Sequence, residues 1–114
     1  MHLDIKVEHE TNYRVMALTG RLDNLTASEF AAAINAEIES GARQVLIEGS
    51  GLQYVSSAGI AELLAAGKRL KESGGTVVFA ALTKPVRSVF DIVGFPKLFT
   101  IYETRDSALA GGET

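Results

Sequence analysis

The residues best placed to do chemistry are two adjacent serines, Ser56 and Ser57, followed by Ala58 and Gly59. A strand-like run, Val45-Leu46-Ile47, precedes them, and a long amphipathic helical pattern follows. This spacing puts two hydroxyls at the N-terminus of a helix. There the first backbone N–H groups lack intrahelical partners, and the macrodipole favours negative charge. Serine is a good cap for such an end, and a phosphate group is well accommodated there. One hydroxyl is expected to cap the helix and the other to be a candidate phosphoacceptor; either serine can take either role. Ala58 and Gly59 carry almost no side chain, which leaves room for another backbone to approach.

The chemistry of an enzyme is missing. A serine nucleophile requires a base within hydrogen-bond reach. The two histidines, His2 and His9, both lie near the N-terminus, in or beside the first strand pattern, and read as solvent-facing. Gly49-Ser50-Gly51 and Ser57-Ala58-Gly59 both miss the spacing of a G-x-S-x-G elbow. No glycine-rich phosphate loop follows a strand. The absence of cysteine excludes disulfides and thiolate metal sites. The chain is expected to be a regulatory module, not an enzyme, with no cofactor and no metal.

Two acids have placements worth weighing. Asp23 follows a strand in Gly20-Arg21-Leu22-Asp23. It suits an Asx-turn or a cap before the first helix. It equally suits a position beside the serines, where it would shape their hydrogen bonding. Glu48 is expected to end the central strand, the edge at which ligand crevices of parallel sheets collect.

The elements that must position these residues follow from periodicity. Leu3, Ile5 and Val7 alternate with charged residues, which predicts a half-buried strand, and Tyr13 to Thr19 predicts a second one paired with it as a hairpin, ended by Gly20. Thr26 and Glu29 form a capping-box pattern for a helix reaching about Ser40, with Phe30, Ile34 and Ile38 on one face and Gly41 just past its end. Val45-Leu46-Ile47 is a short buried strand, and the serine loop connects it to a helix over about Ser57 to Glu72. That helix is expected to bury Ile60, Leu63, Leu64, Gly67 and Leu70, while Ala61, Ala65 and Lys68 lie on its exposed side. Thr76 to Ala80 is a second buried strand. Thr83 caps a third helix with Pro85 near its start and Val86, Val89, Phe90 and Val93 inward. Phe99 to Tyr102 is a last short strand, and a final helix runs from Thr104 or Asp106 to Ala110. The order β-β-α-β-α-β-α-β-α predicts an α/β fold: a mixed, mainly parallel sheet with an opening hairpin and helices packed on it.

Length and composition agree with a single domain over residues 1–110, with 111–114 as a frayed tail. The 114 residues are 46% hydrophobic and 22% charged, with net charge −3, and no Lys/Arg cluster suggests a nucleic-acid surface. No apolar run approaches the roughly 20 residues that span a bilayer, and the N-terminus has no signal-peptide pattern. A soluble, cytoplasmic protein without nucleic-acid or membrane partners is expected.

The chain resembles the STAS domain family, specifically the stand-alone bacterial anti-sigma factor antagonists. The resemblance rests on Leu18-Thr19-Gly20-Arg21-Leu22-Asp23, Val45-Leu46-Ile47-Glu48, Gly51 to Ile60, Lys71-Glu72-Ser73-Gly74-Gly75 and Val86 to Phe95. It implies a STAS fold and a partner-switching mechanism. The unphosphorylated antagonist binds a serine-kinase anti-sigma factor with a GHKL-type ATPase fold, which frees the sigma factor. The kinase phosphorylates a serine at the start of the helix after the central strand, and a PP2C-type phosphatase reverses this. The family motif aligns the phosphoacceptor with Ser57, with Ser56 as the alternative. Ser56 stands where the family often has Asp, Ala58 where it often has a second hydroxyl, and Glu48 where Asp is common. Asp23 carries over as a loop residue beside the acceptor. The implied partner-binding loop comprises Asp23, Asn24, Tyr54, Ser56, Ser57, Ala58, Gly59 and Ala61. The alternative is a STAS interaction module that is never phosphorylated, such as a lipid-transport ABC complex subunit or a stress-signalling scaffold.

Overall fold

A computed structural model describes residues 2–10 and 12–111. The chain forms β1 (Leu3–His9), β2 (Arg14–Leu22), α1 (Ala27–Glu39), β3 (Gln44–Val55), α2 (Ser57–Glu72), β4 (Thr76–Ala80), α3 (Lys84–Ile92), a 3-10 turn (Phe95–Lys97), β5 (Thr100–Tyr102) and α4 (Arg105–Gly111). The five strands lie side by side in chain order. β1 pairs antiparallel with β2, and each later pair is parallel. The element order and the mixed sheet are those the sequence pattern predicts.

Period-two alternation divides the sheet into two faces. Val45, Ile47, Val77 and Phe79 point into the main core, with Phe30 and Ile34 of α1, Leu63 and Leu70 of α2, and Val86 and Phe90 of α3. Leu46, Val78 and Ala80 point the other way, into a smaller cluster with Tyr13, Val15 and Ala108 of α4. Strands added one after another in the same direction, with crossovers of one hand, place every crossover helix on the same face. Hence α1, α2 and α3 share the main core, and among the described residues α4 is the one helix packed on the opposite face. Phe79 and Phe90 meet edge to face at 5.0 Å, and Phe95 meets Phe90 and Phe99 at 4.8 and 5.1 Å. Each fully buried ring of this kind stabilises by about 1.5–3 kcal/mol.

Several local expectations are corrected. β3 does not stop at Ile47; it continues to Val55, so Glu48 lies mid-strand and Gly49–Val55 is strand where a loop was expected. The register against β2 shifts twice, between Ala17 and Thr19 and between Gly20 and Arg21, as β3 bulges. The glycines there serve close approach. A Cβ on Gly51 would lie 2.6 Å from Thr19 Oγ1, and one on Gly49 2.9 Å from Leu82 Cδ2. β2 likewise runs through Gly20, whose φ of 110° only glycine adopts readily, to Leu22. β5 begins at Thr100, one residue later than expected. Val93 caps the end of α3 and is exposed, not inward. α4 includes Gly111, and the rest of the expected tail, Gly112–Thr114, lies outside the described residues.

Candidate partner-binding site

The serines sit where β3 hands over to α2. Ser56 is the N-cap, in extended backbone, and its Oγ accepts from Gly59 N–H at 3.2 Å. Its own N–H donates to Leu22 O at 2.9 Å, fastening the helix start to the end of β2. Ser57 is the first helical residue and is exposed, and among the described residues its hydroxyl has no hydrogen-bond partner. No acidic residue lies in the first turn of α2. The structure thus divides the two hydroxyls into one engaged and one free.

Gly59 explains why the helix starts here. It is buried, and a Cβ on it would lie 2.7 Å from Leu22 O and 3.0 Å from Val55 Cγ2. Its missing side chain therefore serves an approach within this chain. That corrects the expectation that Gly59 leaves room for an outside backbone. Ala58 is half-buried beside it.

Asp23 organises the adjacent loop. Its Oδ1 accepts from the N–H groups of Leu25 and Thr26 at 3.0 and 3.2 Å, and Arg21 Nε donates to its Oδ2 at 3.4 Å. This is the Asx-turn reading. No bond joins Asp23 to either serine among the described residues. Partial burial pushes the Asp23 carboxyl up, but the Leu25 and Thr26 backbone N–H groups, with the Arg21 and Thr26 side chains, outweigh it and hold it below the usual carboxylate range. Thr26 occupies the cap position of α1 without capping it. Its hydroxyl, in a residue only 4% exposed, donates to Arg21 O at 2.8 Å and accepts from Asp23 N–H at 2.9 Å. The capping box with Glu29 is therefore not formed. Thr83 behaves similarly: its hydroxyl donates to Leu52 O at 2.9 Å, tying α3 to β3, and makes no cap.

Around Ser57 the surface is partly apolar. Tyr54 is 42% exposed, with the Arg21 guanidinium 4.1 Å from its ring centroid, a cation–π contact. Asn24 and, at 80%, Leu25 stand out from the loop after β2. Ser57, Ala61, Leu64 and Lys68 recur at helical spacing and are all exposed, so they share the outer face of α2. Leu64, expected inside, is 45% exposed because the buried face runs through Gly59, Leu63, Ala66 and Leu70.

Residues 5–101 match the family model described as "Mlab, STAS domain". The chain belongs to the STAS domain family. Over 100 residues this STAS domain is 32% identical to BtrV of Bordetella bronchiseptica, provisionally named an anti-sigma factor antagonist, covering 88% of this chain and 86% of the relative. It also resembles the crystal structure of an anti-sigma factor antagonist from Mycobacterium paratuberculosis. That similarity has a TM-score of 0.90 at 25% identity, over 98% of this chain and 95% of the other. The fold of Bacillus SpoIIAA in its phosphorylated form is similar too, at a TM-score of 0.74 and 22% identity, over 94% of this chain and 97% of that one.

Sequence reasoning grouped Asp23, Asn24, Tyr54 and the serines of this STAS domain as an implied partner-binding loop; in the structure these residues lie at the ends of β2 and β3 and the start of α2. It missed Arg21, Leu25 and Leu64 as surface features. Leu25 had a legible signal, an apolar residue inside the polar turn Asp23-Asn24-Leu25-Thr26. The stacking of Arg21 on Tyr54 had none, because it depends on a bulged register between strands.

Proposed function

We propose that this STAS domain is an anti-sigma factor antagonist controlled by phosphorylation at Ser57. Unphosphorylated, it binds a serine-kinase anti-sigma factor of the GHKL-type ATPase fold and releases the sigma factor. Phosphorylation of Ser57 blocks that binding, and a PP2C-type phosphatase restores it. The observation that carries the reading is the division of labour at the start of α2, where Ser56 holds the cap and Ser57 stands exposed with its hydroxyl free. The similarity to anti-sigma factor antagonists supplies the class of partner.

The physics of the switch is local. A phosphate adds about −1.5 to −2 charges at pH 7. At a helix N-terminus the free N–H groups and the dipole offset that charge, so the fold survives. Against a partner, the same charge is desolvated or set beside acidic groups, and a loss of about 3 kcal/mol weakens binding roughly 100-fold. Exposed Leu25, Tyr54 and Leu64 supply apolar contact area for that partner.

The test is phosphorylation by the cognate anti-sigma kinase with ATP, mapped by mass spectrometry. Phosphate is expected on Ser57, none on Ser57→Ala, and roughly 100-fold weaker kinase binding by Ser57→Asp. Labelling of Ser57→Ala at the wild-type level, with no phosphate on Ser56, would sink the switch. A partner retained equally by wild type and Ser57→Asp would point instead to an unphosphorylated STAS module.

A further inference from the structure

β1 is an edge strand: it pairs with β2 on one side and with no other strand among the described residues. The direction of its backbone groups can be read from the two ends of the hairpin. Arg21 N–H donates to His2 O at 3.2 Å, and Glu10 N–H donates to Tyr13 O at 2.9 Å. In an antiparallel pair, hydrogen-bonded residues alternate with non-bonded ones. The register Asp4–Thr19, Lys6–Ala17, Glu8–Val15 therefore turns the even-numbered residues of β1 toward β2. Leu3, Ile5, Val7 and His9 turn their N–H and C=O groups outward. Ile5 and Val7 pack on the main core and are only half-buried. A free edge of this length with apolar side chains is a template for another strand.

We propose that β1 pairs antiparallel with β1 of a second copy of this chain, on a two-fold axis through Ile5. Charge complementarity selects both partner and register. An axis at Ile5 sets Asp4 opposite Lys6 twice, and places His2 opposite Glu8, whose carboxylate Arg105 already holds. It also sets Leu3 opposite Val7 and Ile5 opposite itself, on the face covered by α1. An axis at Lys6 would oppose Lys6 to Lys6 and Asp4 to Glu8. One at Asp4 would oppose Asp4 to Asp4 and His2 to Lys6. One at Val7 would set Lys6 opposite Glu8 twice, but would oppose Asp4 to Glu10 and leave Ile5 facing His9. Charges on an edge ordinarily discourage pairing; the alternation Asp4-Ile5-Lys6 instead makes this edge self-complementary. Because the even-numbered residues face β2, Asp4 and Lys6 fall at the non-hydrogen-bonded pairs of the new ladder, where side chains lie closest. The two sheets then join into one of ten strands. This pairing does not depend on the role of Ser57.

Sedimentation equilibrium of the full chain, from about 10 μM to about 1 mM, tests it in the range suited to so small an interface. The wild-type mass is expected to rise toward the dimer. Lys6→Asp opposes carboxylates at both pairs and is expected to weaken association roughly tenfold. The swap Asp4→Lys/Lys6→Asp restores complementarity and is expected to restore association. Asp4 and Lys6 are exposed, so these variants keep the fold, which circular dichroism checks. The chain has no cysteine, so Asp4→Cys mixed with Lys6→Cys reports the register: the mixture is expected to cross-link and neither variant alone. A wild-type chain that stays monomeric throughout overturns the proposal. So does a swap variant no better than Lys6→Asp, or Lys6→Cys cross-linking with itself as fast as with Asp4→Cys.

Discussion

One hydroxyl at the start of α2 holds a backbone N–H and its neighbour holds none, and stability measurements should separate them. Ser56→Ala is expected to cost about 1 kcal/mol in urea unfolding, the usual loss of a helix cap. Ser57→Ala is expected to stay within about 0.5 kcal/mol of wild type, as for an exposed site without partners. Equal losses would mean that the two serines share the cap. Asp23 adds a pH signature. Its folded-state pKa lies below the unfolded value near 3.9, so the stability it contributes is full above that pH and is lost as pH falls through the folded value. Between about pH 5 and pH 3, wild type should therefore lose more stability than Asp23→Asn. Parallel curves would show that the carboxylate is not linked to folding. At this scale the sequence left a one-residue ambiguity between Ser56 and Ser57, because the N-cap is fixed by where the backbone leaves the extended region. Thr26 shows the same limit: the letters of a capping box are present, but burial directs the hydroxyl to Arg21 O and Asp23 N–H instead.

Among the elements, the joint between β3 and α2 is rigid because glycine permits it. Gly59→Ala would gain up to about 1 kcal/mol in helix propensity. It would also push a methyl against Leu22 O and the Leu22 and Val55 side chains, and overpacking of this kind costs about 1–3 kcal/mol. Backbone cannot move aside cheaply, so net destabilisation by about 1 kcal/mol or more is expected in thermal unfolding. Gly67→Ala is the control. The nearest atoms to its Cβ would belong to the ring of half-buried Phe99, from 2.5 Å, and a side chain shifts at lower cost than backbone, so a smaller loss is expected. Were both variants equally stable, the close approach at Leu22 would not be what positions Ser57. The helices and β4 were legible because their periodicity is strong over many residues: the pattern gave Ser57–Glu72 and Thr76–Ala80, the observed bounds. The second half of β3 was not legible. Gly49, Ser50 and Gly51 have turn chemistry, and only the neighbouring strand β2 turns them into bulges.

For the whole molecule, the single face shared by α1, α2 and α3 follows from the side-by-side order of the strands, which the pattern left open, but the hairpin followed by strand–helix units was readable from sequence order. The position of α4 was not. Seven residues carry too little periodicity to choose a face, and the contact that anchors the helix joins residues 97 apart in the chain. Arg105 donates to Glu8 at 3.0 Å and to Glu10 at 2.9 Å, holding α4 to the hairpin over the smaller core cluster. The hydrogen bond from Arg105 leads the causes that hold the Glu8 carboxyl below its ordinary range, so this link is lost as pH falls through the folded value of Glu8. All three side chains are partly exposed, and salt weakens such pairs. Arg105→Gln should therefore speed hydrogen exchange of the α4 amides while leaving those of α2 near wild type, because local opening follows local contacts. Added salt should shrink the difference between variant and wild type in α4 alone. If α2 loosened in parallel with α4, the two faces of the sheet would open as one unit, and α4 could not be the locally anchored element that the Arg105 contacts describe.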